Sequence, residues 1–325
     1  MQTQKIPNTD LEVTRIAYGC MPLGGSWDSE PLTGEVRREA IRSLRAALDQ
    51  GVNFFDHADI YCRGKSEEVF SAMWKEIPHL RQQIILQSKC GIRFGGEPHA
   101  DDPSRYDFSY EHIVRSVEGS LKRLQTDRLD VLLLHRPDPL VEPEEVARAF
   151  DELHQSGKVR YFGVSNHTAA QMRLLRKFVR QPILFNQVQF SLLHTHLLNA
   201  GIHFNQDNPM LARNEDTIEY CRQHEITLQA WGPLSWGLLT GRSGEDATPP
   251  IKKATKLVAE MAEQKGVSGE AILIAWILRH PAKIQAIIGT TRPERIAAAC
   301  QADGIVLSRE EWYRLFVTAR GEDLP

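Results

Sequence analysis

Long apolar runs are scarce in these 325 residues. The longest, Ala271 to Leu278, is far short of the roughly 20 residues a bilayer-spanning helix needs. No membrane association is expected. The segment from Met1 to Pro7 has no apolar core of the kind a secretory signal uses. Cysteine is sparse: Cys20, Cys62, Cys90, Cys221 and Cys300 are odd in number, far apart and free of CxxC spacing. That excludes a disulfide framework and a zinc site, and the expectation is a reduced, cytoplasmic protein with no metal. An excess of one charge is missing too, since 39 basic against 42 acidic residues give a net charge of −3. No Lys/Arg stripe is present to track phosphates, so nucleic acid is not an expected partner. What remains is 42% hydrophobic and 25% charged, a composition that can bury a large core.

Short β-rich runs alternate with helical patterns from end to end. Thr33 is an N-cap candidate with Glu35 in the first turn; Val36, Ala40, Ile41, Leu44, Ala47 and Leu48 share one face, and Gly51 stops the helix. Ser109 opens a second helix with Ile113, Val114, Val117, Leu121 and Leu124 on its apolar face. It leads into 129–134, a run that suits a strand buried on both sides of a parallel sheet. Glu142 to His154 repeats the pattern and ends at Gly157. Strand candidates lie at 16–20, 53–56, 83–88, 129–135, 159–164, 183–187, 226–231 and 284–288. Eight β-α units predict an α/β fold, a (β/α)8 TIM barrel formed as a single domain over 1–325. The rival doubly wound sheet lacks a G-x-G-x-x-G after its first strand, the glycines of 19–25 having a different spacing. Residues 5–13 read as a hairpin capping the barrel floor, 241–250 as a surface loop, and the C-terminal end as extra helices.

Barrels of this type place active residues at the C-terminal ends of their strands. The second strand closes on Asp56 and runs on to Tyr61, the third closes on Lys89 and the fourth on His135. Alone, each is as readily a solvated or packing residue. Together they make a complete acid with its tuning pair. A lysine leaving an apolar strand needs a counter-charge, which Asp56 supplies. A phenol of pKa about 10 exchanges protons poorly near neutrality, and an adjacent ammonium lowers that value by stabilising the phenolate. His135 then hydrogen-bonds at the same oxygen. His57 points away from Asp56 and reads as structural. Near the eighth strand, Gly289, Thr290, Thr291, Arg292 and Arg295 bring hydroxyls, backbone N–H groups and two guanidinium forks to a helix start, a favourable place for phosphate. The competing reading makes both arginines ordinary exposed charges.

The order of these motifs resembles the aldo-keto reductase superfamily. The stretch from Phe55 to Tyr61, Ser88-Lys89, the stretch from Leu134 to Pro139, Gly163 to Asn166, Asn186-Gln187, Ala230 to Leu234 and Ile288 to Ile296 carry the resemblance over nearly the whole chain. Within the superfamily the similarity is greatest to bacterial oxidoreductases, many with no assigned substrate. The resemblance implies NADP(H)-dependent reduction of a small aldehyde or ketone to an alcohol. Tyr61 would protonate the carbonyl oxygen, Lys89 and Asp56 tune it, and His135 orient the substrate. It further implies that Ser165, Asn166 and Gln187 hold the nicotinamide carboxamide, that Trp231 stacks on the ring, and that Gly19, Met21, Gly232, Pro233 and Leu234 line the cofactor. The 2′-phosphate then falls to the segment carrying Arg292 and Arg295. Cys62 stands where many relatives carry glycine, which bears on the backbone freedom of that loop. Trp27, His167, Trp236 and the 189–212 insertion are candidates for the substrate wall. His194 and His196 within that insertion lack a third ligand for a metal. The alternatives left open are a cofactor-binding regulatory or redox-sensing subunit with little turnover, and a metal-dependent lyase or isomerase.

Overall fold

The computed structural model describes residues 1–202, 216–244 and 246–325. Its centre is a closed barrel of eight parallel strands: β3 (Ile16–Gly19), β4 (Phe54–Asp56), β5 (Ile85–Cys90), β8 (Leu129–Leu134), β9 (Val159–Ser165), β10 (Ile183–Gln189), β11 (Thr227–Trp231) and β12 (Gln285–Ile288), paired in that order and closed by β12 against β3. All eight coincide with the strand candidates to within a few residues at each end. Two antiparallel pairs lie outside the barrel, β1 (Thr3–Lys5) with β2 (Glu12–Thr14) and β6 (Ile92–Arg93) with β7 (Arg105–Tyr106). The first of them is the expected floor cap. Its loop and second strand send Ile6, Leu11 and Val13 into the apolar cluster inside the barrel, with Phe54, Val131, Leu133, Phe185 and Ile287.

The outer helices begin where the sequence signals them. The Thr33 side chain accepts from the Val36 N–H and starts α1 (Gly34–Asp49); Ser109 accepts from the His112 N–H and starts α5 (Tyr110–Leu124). Each cap satisfies a backbone donor that the first helical turn leaves unpaired. The helical faces of Ala40, Leu44, Ile113, Val117, Val146 and Phe150 cover the outside of the barrel in one continuous core. Two loop expectations change. The 241–250 stretch is framed by a helical turn at Leu238–Arg242 and by α10 (Pro249–Lys265), whose N-terminal prolines carry no N–H to leave unsatisfied. The insertion begins with a tight turn at Ser191 and His194 and forms α8 (His196–Ile202); its residues 203–212 lie outside the described ones. Beyond β12 come α12 (Pro293–Cys300) and α13 (Arg309–Arg320), the expected C-terminal helices.

Strand alternation fixes what faces the barrel axis. Along β5, Ile85 joins the apolar floor and Leu86 the outer core, Gln87 points inward, Ser88 outward to Glu67, and Lys89 inward again. Above the floor sits a layer of amides. Gln229 accepts from Gln87 (3.0 Å) and Gln187 (3.1 Å), and donates to Gln285 (2.8 Å), which donates to the Thr14 carbonyl (2.7 Å). The same Gln87 and Gln187 amides donate to Asp56 Oδ1 at 2.6 and 3.1 Å. A carboxylate at this depth is tolerable because its lone pairs are met.

Candidate active site

Directly above the amide layer, the Lys89 ammonium is completely buried and donates to three acceptors: the Asp56 carboxylate at 2.8 Å, the His57 carbonyl at 2.8 Å and the Tyr61 hydroxyl at 2.9 Å. An ammonium has three protons, and each is used. Because Lys89 donates to the phenol oxygen, the phenol's own hydrogen is free for another acceptor. The His135 ring meets the Tyr61 ring edge-on, centroids 5.8 Å apart. Burial, then Lys89 and Arg136, hold His135 well below the usual imidazole range, so its ring is neutral. The four strand-end residues therefore converge as the sequence implied.

The phenol differs from expectation in one respect. Burial raises the Tyr61 pKa and Asp56 adds to the rise; Lys89 opposes both without overcoming them. The sequence shows the ammonium but not how dry the phenol is. Lys89 itself rises despite burial, because Asp56 and Tyr61 outweigh the desolvation.

The turn presenting Tyr61 is unusual. Cys62 and Arg63 have φ of 48° and 57°, and Gly64 follows at 84°. Cys62 thus occupies a left-handed conformation that glycine adopts more cheaply. Its Sγ lies 3.3 Å from the Met21 carbonyl, while a Cβ on Gly24 would come 2.6 Å from Cys62 Cβ. The departure from glycine is accommodated by close backbone approach on the opposite loop. His57 is fully buried edge-on to Phe70, 4.7 Å between centroids, and neither ring nitrogen has a partner among the described residues.

Around this centre, Ser165 Oγ donates to the Gln187 carbonyl (2.9 Å), and Asn166 Nδ2 donates to Ser165 Oγ (2.8 Å) and the His135 carbonyl (3.2 Å). Trp231 Nε1 donates to Asn166 Oδ1 at 3.0 Å. These residues form one shelf beside His135. Gln187 stands lower, its amide committed to the barrel layer. Gly19 pairs with Asp56 across the β3–β4 register, and Met21 is half exposed on the loop above. Gly232, Pro233 and Leu234 continue from Trp231. Trp27 and Phe94 make an aromatic wall, Trp27 lying 6.5 Å edge-on from Tyr61 and from Phe94. His167 is buried and stacked on Phe108 at 6.2 Å. Trp236 is 68% exposed and makes no ring contact among the described residues.

At the far end, Arg292 is exposed at the start of α12 with no carboxylate partner among the described residues, and Thr290 Oγ1 accepts from its N–H. Arg295 is already held by Glu270 at 3.2 Å, and Thr291 by Glu39 at 2.6 Å. An unpaired guanidinium, the Thr290 hydroxyl and the Glu294 N–H fit a phosphate, the N–H groups of Arg295 and Ile296 already donating to the Arg292 carbonyl. An indole face beside amide and hydroxyl groups suits a flat carboxamide-bearing ring. The residue set thus fits a dinucleotide laid from Trp231 to Arg292. Phe94, Arg136 and the amides of Gln87, Gln229 and Gln285 carry no signal in the sequence that singles them out. Only the recurrence of glutamine at one level of β5, β10, β11 and β12 hints at the layer.

Residues 15–316 match the model of the aldo/keto reductase family. The chain belongs to the aldo/keto reductase family. It is similar to oxidoreductase YdhF of Escherichia coli, 38% identical over 288 residues, covering 89% of this chain and 90% of that one. It is also similar to a 6-dehydroglucose reductase of Agrobacterium fabrum, 34% identical, with 99% of each chain covered. A solved aldo/keto reductase from Klebsiella pneumoniae, in complex with NADP and acetate, superposes with a TM-score of 0.73 at 26% identity, covering 94% of this chain and 90% of that one. The (β/α)8 architecture and the oxidoreductase class of this aldo/keto reductase follow. Among its described residues, no helix is long and apolar enough to cross a membrane.

Proposed function

We propose that this aldo/keto reductase reduces small aldehydes or ketones to alcohols with NADP(H). The observation that carries the reading is the Lys89 ammonium, paired to Asp56 at 2.8 Å while donating to Tyr61 at 2.9 Å. NADP(H), when bound, supplies the hydride. Tyr61 supplies the proton: its O–H points away from Lys89 toward the carbonyl oxygen, and it leaves a phenolate that the ammonium stabilises at hydrogen-bond distance. Raised by burial, the phenol stays protonated at neutral pH until hydride arrival makes the substrate oxygen basic. His135, neutral and rigid against Tyr61, orients that oxygen by a hydrogen bond without competing as a cation. Asp56 keeps Lys89 charged at full burial, and the amide layer keeps Asp56 in place. Ser165, Asn166 and Trp231 would hold the nicotinamide end, with Gln187 below them. Gly19, Met21, Gly232, Pro233, Leu234, Gly289, Thr290, Thr291, Arg292 and Arg295 would line the remainder, and Arg292 is the residue free to take a 2′-phosphate. The five cysteines are free and buried, which supports a reducing, cytoplasmic setting.

The test is a panel of aldehydes and ketones, with nicotinamide absorbance followed for NADPH and NADH in parallel. Oxidation of NADPH on carbonyl addition, faster than that of NADH at equal concentration, is expected. Tight NADPH binding with no turnover across the panel would instead support a regulatory subunit.

A further inference from the structure

Beside the reaction centre lies a cavity of about 190 Å3, between the ends of β9, β10 and β11, with Asn166, Trp231, Gln189 and Thr217 in its lining. That volume equals on the order of six waters, room for a small polar group. Arg136 lines it and directly follows His135. The guanidinium lies over the Trp231 ring, 5.5 Å from its centroid. A ring offers no lone pair to an N–H, and Arg136 has no hydrogen-bond or carboxylate partner among the described residues. The nearest acid in sequence, Asp138, is committed elsewhere, its two oxygens accepting from the N–H groups of Phe108 (3.0 Å) and Leu140 (2.9 Å).

No acidic side chain lines the cavity among the described residues. Three histidines do, and none supplies charge near neutrality: burial holds His167 and His196 to about 4 and lowers His194 as well. Arg136 is therefore the lone fixed charge on the described lining, accompanied by the Thr217 hydroxyl and the Gln189 amide. An uncompensated guanidinium in a partly enclosed cavity is costly unless a ligand answers it. Asn166 and Trp231 belong both to this lining and to the shelf beside His135, which puts that answer on the substrate.

We infer that this cavity is an anion subsite, and that the preferred carbonyl substrates carry a carboxylate or phosphate held by Arg136. This rests on the reduction proposed above and specifies its substrate class. The experiment uses two aldehydes of like shape, 4-formylbenzoate and 4-formylbenzamide, with NADPH and the full-length protein, and compares wild type with Arg136→Gln and Arg136→Lys. Wild type is expected to favour the benzoate in kcat/KM by roughly 10- to 100-fold, the worth of one charge-assisted hydrogen bond. Arg136→Gln should collapse that ratio to within about 3-fold, through KM, and Arg136→Lys should keep part of it. Terephthalate should inhibit wild type and lose potency in Arg136→Gln in parallel. Equal use of the two aldehydes by wild type, or a preference that survives Arg136→Gln, overturns the subsite and leaves carbonyl reduction standing. Reduction of neither aldehyde, nor of any other carbonyl, overturns both.

Discussion

Replacing Lys89 with methionine tests whether the ion pair at the barrel axis is a coupled unit. The substitution removes a fully buried ammonium with three partners. It leaves the Asp56 carboxylate with only the Gln87 and Gln187 amides, and the His57 carbonyl without its partner. Removing one member of a buried pair costs about 3–5 kcal/mol, because the survivor is an uncompensated charge. Asp56→Asn strands the ammonium instead and should cost about the same. Independent effects would sum to roughly 6–10 kcal/mol in the double variant. With both charges gone, however, only an unpaired carbonyl and an imperfectly bonded amide remain, worth roughly 2–4 kcal/mol. Urea unfolding of all four proteins at pH 7.5 measures the cycle. The double variant should be no less stable than either single one, a coupling of about 3 kcal/mol or more. Additivity to within about 0.5 kcal/mol would refute the coupled-pair account. In activity, Lys89→Met should lose roughly 100- to 10,000-fold in kcat, since the phenolate formed on proton transfer loses its cation.

Two further outcomes follow from particular side chains. Arg292→Ala should raise the KM for NADPH by roughly 10-fold or more while leaving that for NADH within about 3-fold, whereas Arg295→Ala should matter less because Glu270 already holds it; steady-state kinetics with both cofactors decides. Burial, with Lys89 adding to it, depresses His57 to about 3, against 6.5 for an ordinary imidazole. The unfolded state therefore binds a proton that the folded state refuses, so stability is complete above pH 6.5 and falls as the pH drops toward 3, by about 3 kcal/mol at about pH 4. His57→Leu should leave stability at pH 7 nearly unchanged, since neither ring nitrogen has a partner among the described residues, and move the acid unfolding midpoint downward; an unmoved midpoint in circular dichroism would contradict this.

The strands and caps were legible because each is a local signal. Thr33 and Ser109 precede periodic apolar faces, and runs such as 129–134 suit a strand buried on both sides of a parallel sheet. Asp56, Lys89 and His135 stand out because three neighbouring strands each end on a polar residue, although any one of them alone reads as readily as a solvated or packing residue. What the sequence hid depends on which strands become neighbours. Gln87, Gln229 and Gln285 carry no signal of their own and Gln187 enters only as a cofactor contact implied by the resemblance; only closure of the barrel turns the four into one hydrogen-bonded layer beneath Asp56. Arg136 stands in the sequence only as part of the stretch from Leu134 to Pro139, since its lack of a partner among the described residues is a fact about three other strands. Trp236 was legible as an aromatic but not as an exposed one. The Tyr61 pKa went the other way because desolvation depends on packing that no spacing reveals.

The central claim is that Tyr61 delivers the proton in carbonyl reduction. Tyr61→Phe removes one oxygen and keeps the ring against His135 and Trp27. NADPH binding by fluorescence titration and NADPH oxidation with the best substrate of the carbonyl panel should be measured on the same preparation. Cofactor affinity within about 3-fold of wild type, with turnover reduced by at least about 100-fold, is the predicted result. Turnover at the wild-type rate with unchanged binding would mean that another group supplies the proton.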